Sequence, residues 1–137
     1  MLSGAGLGAF AWRIAHVDPG VPERLIGELR LAQLAAIVLA GLGAVPIGLA
    51  IGAQLGGAVH LDAALGLVFM TIAAYVLLRD PQGALWLAAA GFILHALFNL
   101  AHRPGWLEPS LAPRWYVVGC SIYDVYLAGI CYWAGRR

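Results

Sequence analysis

The sequence predicts an all-α integral membrane protein, a bundle of four transmembrane helices preceded by a short interfacial or half-inserted N-terminal segment. Composition is the first ground: 62% of the 137 residues are hydrophobic and 11% charged, against about a quarter charged in soluble domains. Mean hydropathy is +0.84. The second ground is pattern, because the apolar residues fall into four runs separated by short stretches of charge, proline and glycine. Each run approaches the ~20 residues a helix needs to cross a hydrocarbon core of about 30 Å. Four spans consume most of the length, so a single membrane domain over 1–137 is expected.

Residues 1–26 form the N-terminal segment. Its apolar part, ending near Trp12, is too short to span. It does not read as a signal peptide either, since Arg13 follows the apolar stretch instead of preceding it. The first span is placed at 31–55, rising from a turn at Pro22, which suits a first helical turn, with Glu23 near the favourable amino end. Pro46 falls inside this span, where it removes a backbone donor, a defect that neighbouring helices can absorb in a membrane. Gly48, Gly52 and Gly56 recur every fourth residue, a spacing that lets another helix approach closely in lipid. They are assigned to helix packing, within the chain or in a homodimer.

The second span, 59–78, stops at Arg79, Asp80 and Pro81, a turn that a helix rarely continues through. The third, 83–102, ends before Pro104 and Gly105. The fourth, 115–133, carries Trp115, Tyr116, Tyr132 and Trp133 at its ends, where an interfacial belt is favoured. Between the last two spans, Pro104, Pro109 and Pro113 predict a stiff cap, with Trp106 and Leu107 at the interface. A faint similarity between 13–20 and 99–105 is too short to argue for duplication.

Orientation follows from the arginines. Arg13, Arg24, Arg30, Arg79, Arg136 and Arg137 share one side of a four-span topology, and Arg103 and Arg114 the other. Six against two places both termini in the cytoplasm, in a plasma (inner) membrane of bacterial type. Eight arginines, no lysines and a net charge of +1, without a basic run, exclude a nucleic-acid footprint. Cys120 and Cys131 lie about 16 Å apart along one helix, too far to pair.

Ionisable groups within a span cost about 2.5–3.5 kcal/mol when charged, so each calls for a reason. His95, Asn99 and His102 follow at i, i+4 and i+7 on one face of the third span, above the small residues Ala88 and Gly91. On the fourth span Ser121 and Asp124 share a stripe, flanked by Tyr123 and Tyr126. His60 and Asp62 open the second span and are placed at the outer rim. With Asp124 about 15 Å below Arg114, all of these converge on the outer half.

The expected site is a polar pocket in which His95 pairs with Asp124 and Asn99, His102, Tyr123 and Ser121 contribute. A histidine beside a carboxylate can shuttle protons, bind a ligand or hold a metal. A metal would draw on His95, His102 and Asp124, but coordination usually demands three or four convergent donors, and the motif lacks the base of His-Glu-x-x-His. No glycine-flanked elbow surrounds Ser121. No cofactor is named by the residues. The function expected is a small polytopic protein binding a small or lipid-like ligand, or an ion, between the third and fourth spans, as a small transporter or membrane enzyme would. The alternative is a non-catalytic accessory or assembly subunit of a larger membrane complex, its polar residues serving as glue between helices.

Overall fold

The computed structural model describes residues 2–53, 58–102 and 112–136, with side chains for 4–52, 61–102 and 112–136. Five helices account for nearly all of these: α1 (Leu2–Ala15), α2 (Pro22–Ala53), α3 (Ala58–Val76), α4 (Pro81–Ala101) and α5 (Arg114–Gly135). Three of them, α2, α4 and α5, are long and apolar enough to cross a membrane. The remaining expected span, the second, corresponds to α3, a helix of 19 residues, whose apolar part runs over Leu61–Val76.

The helix ends follow from local chemistry. Asp80 caps α4, its carboxylate accepting a hydrogen bond from the Gly83 N–H at 2.9 Å. Pro81 then occupies the first helical position, where its missing N–H costs nothing. The helix begins two residues before the expected 83 for this reason. α2 begins much earlier than the expected 31, at Pro22, because its polar foot is itself helical. There Arg24 and Glu28, one turn apart, form a salt bridge at 2.9 Å, and the expected segment boundary at 26 falls inside this helix. α2 continues through Pro46 to Ala53.

α4 packs against α2, α3 and α5, and α2 also meets α1, α3 and α5. The buried face of α4 steps through Ala84, Ala88, Gly91, His95 and Asn99, a helical period, while Ile93, Leu94 and Leu97 point outward. Between helices in lipid the hydrophobic effect offers little, and close van der Waals packing takes its place. Small residues on α4 permit it: a Cβ at Gly91 would stand 2.7 Å from Leu39 of α2. Phe69, Phe92, Leu31, Leu39 and Leu127 fill the remaining core.

The closest approach of backbones joins α2 to α3 at Gly43 and Gly66. A Cβ on Gly43 would meet the Gly66 carbonyl oxygen at 2.7 Å, and one on Gly66 would strike the Gly43 carbonyl. Around Gly48 and Gly52, by contrast, no described residue lies within 4 Å of a Cβ built on either. Four-residue spacing puts glycines on one face but does not say which face meets a neighbour. Gly56 lies outside the described residues, as do Trp106 and Leu107 of the expected cap.

α1 does not span. It lies alongside α5 with Leu7, Ala11 and Ile14 buried. The Tyr126 hydroxyl donates to the Gly4 carbonyl at 3.3 Å, and a Cβ at Gly27 of α2 would meet Ile14 at 2.9 Å. One cleft gathers Pro19, Arg24, Glu28, Asp80, Gln82 and Gly135, so the amino ends of α2 and α4 and the carboxyl end of α5 share one end of the bundle. Both cysteines are free thiols.

Candidate functional site

At the opposite end, α4 sets two histidines two turns apart on its buried face, about 10 Å along the axis. Each meets a carboxylate from a different neighbour. His95 Nδ1 lies 2.7 Å from Asp124 Oδ2 of α5, with Asp124 wholly buried and His95 nearly so. His102 Nε2 stands 3.3 Å from Asp62 Oδ1 of α3, an ion-pair distance. One residue type repeated at i and i+7 thus ties α4 to both flanking helices.

The inner pair has a third member. Asn99 Nδ2 is 3.3 Å from His95 Nδ1 and 3.5 Å from Asp124 Oδ2. A ring nitrogen cannot donate to the carboxylate and accept from the amide at once. With the proton on Nδ1, His95 donates to Oδ2 and the Asn99 amide adds a longer contact to the same oxygen. Asp124 Oδ1 is buried with no hydrogen-bond partner among the described residues. A carboxylate in that state has acceptor capacity left over, and an unsatisfied buried acceptor costs about 1–3 kcal/mol.

Aromatic rings fix the imidazoles. Phe69 of α3 meets the His95 ring edge to face at 4.7 Å. Phe98 does the same to His102, again at 4.7 Å, so it sits between the two pairs on α4. Beside them lies a cavity of about 30 Å³ bordered by Asp62, His95, Phe98 and Tyr116, with Leu42 and Pro46 on the α2 side. This is room for a water or two, which need about 10–15 Å³ at minimum, and far too little for a lipid. Because Pro46 has no N–H, the Leu42 carbonyl lacks its usual helical donor, and both residues border this cavity.

The expected residues divide accordingly. His95, Asn99 and Asp124 come together, and His102 joins Asp62, which is largely covered there. His60 has no described side chain. Ser121 faces its own helix, donating to the Val117 carbonyl at 3.0 Å. Tyr123 turns to α1, its ring 2.9 Å from where a Gly4 Cβ would be. His95, His102 and Asp124 do not form one donor set, and no cluster of three or more metal-ligating side chains occurs among the described residues. Phe69, Phe98 and Tyr116 complete the site unannounced: aromatic residues are common in membrane helices, and only the register between helices distinguishes these. Comparison with known protein families, curated proteins and solved structures gave no match.

Proposed function

We propose that the chain is a four-span membrane protein, with α3 as its second span and the carboxyl end in the cytoplasm, whose outer half takes up and passes a proton or a water-sized ion. The observation that carries this reading is the His95–Asp124 contact at 2.7 Å beside a water-sized cavity that also touches Asp62. Buried ionisable groups within a membrane default to ion and proton paths, and imidazole is the side chain whose proton exchanges near neutral pH. Two His–Asp pairs stepped along one helix, with room for water between, supply donors and acceptors at successive depths. With Nδ1 engaged by Asp124, Nε2 is the ring nitrogen left to exchange a proton with the cavity. The small volume argues against a bulky or lipid-like ligand at this place.

The orientation draws support from the six-to-two arginine bias and from the cleft that brings Arg24, Asp80 and Gly135 to one end. The test is proton movement into liposomes holding a pH-sensitive dye, driven by an imposed potential. The protein should raise the rate above that of empty liposomes, and Asp124→Asn or His95→Gln should return it to the empty rate. Wild-type liposomes no faster than empty ones would sink the proposal.

An accessory-subunit reading has one observation of its own. Gly48 and Gly52 present a small-residue face with open space around it, as a helix awaiting another membrane chain would. Copurification of a stoichiometric larger partner, lost on Gly48→Leu, would favour it.

A further inference from the structure

We infer that the outward face of α4 and α5 carries a binding groove for one acyl chain of an anionic phospholipid, with Arg136 holding the headgroup. A recess of about 640 Å³ runs between these helices on the side away from α2 and α3, and its lining is almost wholly apolar. Small residues make the depression: Ala89, Ala128 and Gly129 line it, with Ile93, Leu94 and Val125 beside them. Along α4 it reaches from Trp86 to Leu97, about 16 Å. That is close to half of a hydrocarbon core of about 30 Å, hence the depth of a single leaflet.

The two ends of the groove differ. At the arginine-rich end Trp86 and Tyr132 meet edge to face at 4.9 Å, the pairing of amphipathic rings favoured at headgroup level. The exposed Arg136 guanidinium lies over the Tyr132 ring at 5.4 Å. The carboxyl end of a helix normally presents negative partial charge, which would repel a phosphate. Here the Gly135 carbonyl accepts from Gln82 Nε2 at 3.1 Å and Trp86 Nε1 at 3.2 Å, so that repulsion is blunted where Arg136 stands. Basic residues between membrane helices on the cytoplasmic side are suited to anionic headgroups. The charge complements a phospholipid carrying net negative charge, and the apolar channel beside it fits that lipid's tail.

The groove is separate from the His–Asp site and does not depend on its role. The full chain is placed in bilayer nanodiscs holding equal phosphatidylglycerol and phosphatidylcholine, then released into detergent for native mass spectrometry. Wild-type protein should retain phosphatidylglycerol in preference. Arg136→Gln should cut that preference about fivefold, the worth of one arginine near a membrane surface, while lipid is still retained. Gly129→Leu, built into open space, should fill the groove and lower retention of both lipids. Ala90→Leu, also on the groove wall, decides the matter if the first plug does not fold. Equal retention of the two lipids by wild type, unchanged preference in Arg136→Gln, or a second copy of the chain displaced by the plugging variants would overturn the assignment.

Discussion

Asp124 and His95 form a unit in which each half is costly alone. Removing the imidazole with His95→Ala leaves a fully buried carboxylate with one acceptor already unpartnered. Breaking a buried pair in this way typically costs about 3–5 kcal/mol. The double variant His95→Leu/Asp124→Leu removes both polar groups and refills the space, so it should recover most of that loss. Unfolding in a graded detergent series measures both. Equal destabilisation by the single and the double change would mean that the pair contributes shape and not hydrogen bonding. This pair was legible in the sequence, because ionisable residues within apolar runs are rare and the i, i+4, i+7 spacing forces a common face. The approach of Asp62 to His102 was not, since it depends on how far α3 is slid along α4. Ser121 and Tyr123 share a stretch with Asp124 but are turned to the Val117 carbonyl and to α1. Proximity in sequence could not reveal that.

At the level of helices, the tightest joint is the crossing of α2 and α3 at Gly43 and Gly66. Gly66→Ala sets a methyl against the Gly43 carbonyl, and backbone cannot rotate away as a side chain does. The expected loss is about 1–3 kcal/mol or more, as in other overpacked interiors. Gly48→Ala, with open space at its Cβ, should stay within about 0.5 kcal/mol. The same detergent series measures the contrast, and its reversal would place the interface elsewhere. Neither Gly43 nor Gly66 belongs to a four-residue glycine repeat, whereas Gly48 and Gly52 do. The repeat did not point to the Gly43–Gly66 crossing because a pattern on one helix carries no information about its neighbour. The caps were easier to see: Asp80 followed by Pro81 ends one segment and starts the next through bonds that need no tertiary partner.

Across the whole molecule, the amino ends of α2 and α4 and the carboxyl end of α5 meet in one cleft, while both His–Asp pairs lie toward the other end. A fluorescent reporter that matures only in the cytoplasm, fused at the carboxyl terminus, should therefore be bright. An enzyme reporter active only outside, inserted between α4 and α5, should also be active, and a dark terminus with an inactive loop reporter would invert the topology. Apolar run length foresaw the membrane-length helices α2, α4 and α5, and the arginine count is an expectation about orientation that the reporters test; both act along the membrane normal. They say nothing about lateral order, which is why the side-by-side packing of α1 with α5 emerged only in three dimensions. The order of synthesis gives the His95–Asp124 contact a further meaning. α4 leaves the ribosome with His95 and Asn99 unmatched, and α5 follows carrying Asp124, whose lone insertion as a charge would cost about 2.5–3.5 kcal/mol. Paired, the two helices offset part of each other's expense, so α4 and α5 should enter a bilayer more readily together than either does alone.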